Sequence, residues 1–139
     1  MAVTNLQNQV GDVHAQGYIS ADEYSTAEVN ASAIGNSLIA GNNDVTLSLD
    51  NTQVSSGGVE AEATFVGNSG YDGYISSNAV GNQAVAYACS ECQANMSVNN
   101  SQTNNSNVSA TSTATVNTGR SIVATATATG NSATFYVSR

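Results

Sequence analysis

The chain has 139 residues, a formal charge of −8, and no Lys, so Arg120 and Arg139 are its only fixed cations. That excludes the clustered positive charge needed to displace counterions from nucleic acid. Only 9% of residues are charged, no Pro or Trp occurs, and Phe and Tyr number 2 and 6. These figures argue against a disordered chain and against a bulky aromatic core.

From the amino terminus onward, the dominant pattern is alternation with period two. Val13, Ala15, Gly17 and Ile19 form the first series, followed by Val29, Ala31 and Ala33. Further series are Val45, Leu47, Leu49; Val59, Ala61, Ala63, Phe65; Ala94, Met96, Val98; Val108, Ala110; Ile122, Ala124, Ala126, Ala128; and Ala133, Phe135, Val137. The intervening residues are mostly Ser, Thr, Asn, Gln or Glu, which is the strand pattern with one wet face. Gly and Asn clusters separate the series: Gly35-Asn36, Gly57-Gly58, Gly81-Asn82 and Gly130-Asn131 among them. Both residue types tolerate positive φ, so sharp turns are expected there.

These landmarks repeat. Gln9, Val13 and Gly35-Asn36 recur as Gln53, Val59 and Gly81-Asn82, and again as Gln102, Val108 and Gly130-Asn131. The Val and Gly anchors are about 46 and then about 49 residues apart, the kind of period that marks stacked architectures. The expected fold is all-β: a β-solenoid (parallel β-helix) of about three repeats, each of two coils of about 23 residues. An antiparallel β-sandwich is the alternative. One repeat domain fills residues 1–139, with repeats near 9–52, 53–101 and 102–139, and 1–8 as a completing segment. Joining Arg139 to Met1 of a second copy gives the same step from Gly130 to Gln9 as from Gly35 to Gln53. This suggests a chain whose end is completed by the start of a neighbour; a cut from a longer repeat protein is the competing reading. The three extra residues of the second period fall near Cys89 and Cys92. This Cys-Ser-Glu-Cys motif is expected to form a local disulfide or two free thiols on a corner loop, since it lacks the further ligands of a zinc site.

No cluster of acid, base and nucleophile suggests an enzyme. His14, the single His, reads as a wet-face residue, and Glu60 and Glu62 as a solvated pair. The turn aspartates Asp12, Asp22, Asp44, Asp50 and Asp72 could hold Ca²⁺, but no calcium-loop motif is present, so no cofactor is expected. Thr111, Thr113, Thr115 and Thr125, Thr127, Thr129 suggest an ice-binding face. No basic start or apolar run marks a signal peptide near Met1, and no stretch is long and apolar enough to span a bilayer.

The units Gly35-Asn36-Ser-Leu-Ile-Ala40 and Gly81-Asn82-Gln-Ala-Val-Ala86 carry a resemblance. With its Asn/Ala/Val-rich repeats, the chain resembles alphaproteobacterial holdfast-anchor proteins, the D component in particular, and more weakly curlin repeats. The resemblance implies an exported, extracellular protein of the bacterial cell surface that forms fibres or ties an adhesive polysaccharide to the envelope. The expected function is therefore structural: head-to-tail self-assembly into filaments serving cell-surface adhesion. Partners would be further copies of itself, and polysaccharide or other anchor proteins. The assembly edges would be Val3, Leu6, Ala133, Phe135 and Val137, with the Gly-Asn pairs as repeat corners. Filaments of six coils per chain would rise near 29 Å per subunit, at roughly 4.8 Å per coil. A non-polymerising polysaccharide-binding module is the alternative, and an ice-binding solenoid a further one.

Overall fold

Small apolar residues on every second position, with few charges between them, favour strands that bury one face and pair along their length. The computed structural model describes residues 1–43, 46–88 and 94–137. Its strands are β1 (Ala2–Gln9), β2 (Val13–Asn42), β3 (Thr46–Ser55), β4 (Val59–Ala88), β5 (Asn95–Asn104), β6 (Val108–Thr118) and β7 (Ser121–Val137). β1, β3 and β5 stack in one sheet; β2 and β4 stack in a second, which β6 and β7 continue together. All pairings are parallel, as a β-solenoid requires and an antiparallel sandwich forbids.

The recurring landmarks lie on top of one another. Val13 pairs with Val59 and Val59 with Val108; Asn36 pairs with Asn82 and Asn82 with Asn131. Stacked side chains are 46 residues apart between the first two levels and 49 between the next two. The step changes between Ala88, which still pairs with Asn42, and Asn95, which already pairs with Thr46. The three additional residues therefore fall between Ala88 and Asn95, the stretch that holds Cys89 and Cys92; both cysteines lie outside the described residues.

One expectation needs correction. Each repeat makes a single coil, so the described chain has three levels and not six. The reason is the shape of the interior. Within a level, residues 13–21 face 27–34 around one apolar cluster that includes Val29, Ala33, Val59, Ala61, Phe65 and Ile75. Residues 38–42 face 1–9 around a second, which includes Ala40, Leu47, Leu49 and Ala86. Ala, Gly and Val are too small to fill a round tube, but they fill a slit between two facing walls. The walls are close: a Cβ on Gly17 would lie 2.9 Å from Val29 Cγ1. A long, flattened coil is the outcome.

The two clusters meet at the Gly-Asn pairs. Alternation slips by one position there: Ala33 points inward, Ile34 outward, and Asn36 inward again. Sharp turns with positive φ were expected at the Gly and Asn breaks, yet no described residue has positive φ. Glycine is needed at these corners for closeness. A Cβ on Gly35 would sit 2.6 Å from Gly81 O, and one on Gly81 would sit 2.5 Å from Gly130 O, so any larger residue pushes successive coils apart.

Candidate functional site

Where the two apolar slits join, the interior is polar, and its side chains are almost all amides. An amide carries two donors and an acceptor with two lone pairs, so identical amides stacked one coil apart can bond to each other and still reach the opposite wall. Three such ladders run along the stack. Asn36 Nδ2 donates to Asn82 Oδ1 at 2.8 Å, and Asn82 Nδ2 to Asn131 Oδ1 at 2.7 Å. Asn5 Nδ2 donates to Asn51 Oδ1, and Asn51 Nδ2 to Asn100 Oδ1, both at 2.6 Å. Gln53 Nε2 donates to Gln7 Oε1, and Gln102 Nε2 to Gln53 Oε1, both at 2.7 Å.

Two of the ladders also bridge the walls. Gln7, Gln53 and Gln102 each donate across to a backbone carbonyl, of Ser37, Gln83 and Ser132 respectively. Asn36, Asn82 and Asn131 donate to the carbonyls of Val54, Thr103 and Gln102. The middle level is sealed: Asn51, Gln53 and Asn82 have no solvent exposure. Beside them Ser55 Oγ donates to Gln9 Oε1 at 2.5 Å. Buried amides are tolerable only when paired, and for Asn51, Gln53 and Asn82 the repeat supplies the partners.

The ladders also correct the alignment of the first repeat. Gln7, and not Gln9, stacks on Gln53, while Gln9 stacks on Ser55. The equal step that suggested joining Arg139 to Met1 of a second copy rested on Gln9 and falls with it. Residues 1–8 themselves lie on β3, at one outer edge of the stack. Extending the Val13–Val59–Val108 offset backwards would have revealed the Asn5 and Gln7 columns; the doubled Gln in Gln7-Asn8-Gln9 hid them.

The predicted edge residues divide. Val3 and Phe135 are half-buried against the second apolar cluster, at opposite ends of the stack. Ala133 and Val137 are exposed on the last level, and Leu6 points away from the interior with 76% of its surface open. The corner residues Gly35, Asn36, Gly81, Asn82, Gly130 and Asn131 come together in one column at the neck between the slits.

The aspartates are spread over the surface. Asp12 Oδ1 accepts from the Gly58 amide at 2.7 Å, and Asp50 Oδ1 from Asn99. Asp72 pairs with Arg120, whose guanidinium lies over the Tyr71 ring at 5.5 Å. The hydrogen bond to Asp72, and its charge, raise the Arg120 pKa, but the side chain is largely exposed. Among the described residues no three His, Cys, Asp or Glu side chains gather as a metal cluster; Asp44 lies outside them. His14 pairs across the sheet with Glu60, and Glu62 accepts from Gln16. The Thr ranks are broken on stacking: Thr111 lies on Glu62 and Thr127 on Asn78, so no flat threonine face crosses the coils.

Comparison with known proteins gives one family. Residues 1–58 match the family described as holdfast attachment protein D. No curated protein and no solved structure matches the chain significantly, and a likeness to curlin repeats finds no support. The family match covers β1, β2 and β3, including the Gly35-Asn36 unit, and bears out the similarity of this part of the chain to the D component of the holdfast anchor.

Proposed function

We propose that this protein is an extracellular structural component that anchors a bacterial adhesive to the cell surface, and that copies of it stack head to tail into filaments. The family match carries the attachment role, since that family's description names it. The architecture supports the assembly. Among the described residues, β1 and β2 at one end, and β5, β6 and β7 at the other, have unpaired backbone edges along the stack, and open parallel edges recruit strands. The last level also leaves Ala124, Ala126 and Ala128 exposed, whereas their counterparts Ile75 and Ala79 one level in are buried. A contact between unlike ends does not close on itself, so it builds fibres. No catalytic role is proposed.

With three levels per chain, electron microscopy of the purified protein should show filaments with an axial rise of about 14 Å per subunit, at roughly 4.8 Å per coil. In the producing cell, loss of the protein should leave adhesive secreted but shed. Strict monomers at high concentration would overturn the assembly, and adhesive retained without the protein would overturn the anchoring role.

A further inference from the structure

The amide ladders have direction, and their ends are complementary. In the Asn36–Asn82–Asn131 ladder the donors point from the first level toward the last. In the Gln7–Gln53–Gln102 ladder they point the other way. These directions are not interchangeable. Each of these amides also faces a backbone carbonyl, which can only accept, so the atom facing it must be the nitrogen.

The ends therefore carry open groups, fixed by those carbonyls in the Gln7 and Asn36 ladders, while the donors of the Asn5–Asn51–Asn100 ladder point from the first level toward the last. At the first-level edge, among the described residues, nothing donates to Asn36 Oδ1 or Asn5 Oδ1, and one Gln7 N–H remains free. At the last-level edge, an Asn131 N–H and the Asn100 Nδ2 group remain free, and nothing donates to Gln102 Oε1. The first edge reads acceptor, donor, acceptor for Asn5, Gln7 and Asn36. The last reads donor, acceptor, donor for Asn100, Gln102 and Asn131.

We propose that these open amides form a code that sets both direction and register when a second copy of this chain stacks on the first, an inference that rests on the head-to-tail reading above. In register, Asn100 meets the next copy's Asn5, Gln102 meets its Gln7, and Asn131 meets its Asn36. All three ladders then run on unbroken, and each end amide enters the sealed surroundings that Asn51, Gln53 and Asn82 already occupy. A slip by two residues along the strand sets Asn100 donors against Gln7 donors, or Gln102 oxygen against Asn5 oxygen. A slip by one turns the amides out of the interior altogether. Mismatched buried amides are costly, so backbone edges that would accept any parallel strand are restricted to one alignment.

The test uses one-ended variants of the full chain. Asn100→Asp with Asn131→Asp replaces the last-edge donors by acceptors while keeping the oxygens that accept from Asn51 and Asn82. Gln7→Glu removes the first-edge donor. Each variant alone should need a concentration on the order of tenfold higher to assemble, judged by sedimentation and microscopy. Mixed, they should form discrete heterodimers, because each supplies the intact end that the other lacks. Circular dichroism checks folding; should the double variant unfold, Asn100→Asp alone retains every hydrogen bond the residue makes within the chain and replaces it. Folded variants that polymerise like the wild type, or mixtures that stay monomeric while the wild type assembles, overturn the code but leave head-to-tail assembly standing. A wild-type chain that never assembles overturns both.

Discussion

Replacing Gln53 by Leu should destabilise the protein by about 3 kcal/mol, although the two side chains are similar in size and the site is completely buried. Ordinarily a buried apolar residue in place of a polar one is tolerated. Here Gln53 holds three partners at once: it donates to Gln7 Oε1 and Gln83 O, and accepts from Gln102 Nε2. Leucine leaves all three without that bond, and an unmet buried group costs roughly 1–3 kcal/mol. The carbonyl of Gln83 sits at the sealed neck, while Gln7 and Gln102 lie on the end levels, where water can partly compensate. The same substitution at Gln102 should therefore cost clearly less. Urea unfolding of the two variants measures the difference; a loss at Gln53 below about 1 kcal/mol would show that the ladder contributes little to stability.

A second large effect is expected from Phe65→Ala. Phe65 is fully buried and is the largest such side chain among the described residues. It sits in a column between Ile19 and Ala114 and receives the Tyr24 ring edge-on, with centroids 5.0 Å apart. Phe→Ala in a core typically costs about 3–5 kcal/mol, depending on how far the cavity collapses. Collapse is poor here, because the neighbouring backbones are held at fixed spacing by their ladders. Against a typical total stability of roughly 5–15 kcal/mol this is a large fraction. Phe65→Leu, which fills most of the space, should lose far less. Equal losses for the two would mean that the aromatic contact with Tyr24, rather than volume, decides the effect.

These two residues also illustrate what the amino-acid pattern reveals. Phe65 belongs to an alternating series, and its burial follows from period two alone. The stacking of Val13, Val59 and Val108 and the place of the three-residue expansion near Cys89 and Cys92 follow from spacing. The coil perimeter does not. Alternation says which face is buried but not which other wall lies opposite, and a Gly-Asn break looks the same whether the chain folds back tightly or merely changes phase. Hence six short coils were expected where three long ones occur. The amide ladders were masked by composition: in a chain so rich in Asn and Gln, a buried amide has no local mark. Only its identity at the next level distinguishes Asn51 from a surface asparagine. The Gly35 and Gly81 positions were legible as glycine-requiring, but for the wrong reason, since the constraint is a neighbouring carbonyl rather than the sign of φ.

The flattened coil has a mechanical consequence. Tension along the stack axis falls on every hydrogen bond of one level-to-level contact together, so no single bond is loaded first. Should that contact give way, the freed coil of 46 residues pays out as slack, about 150 Å of contour at roughly 3.3 Å per residue. A tether built this way stretches in large discrete steps before it parts, and single-molecule pulling would read their length directly.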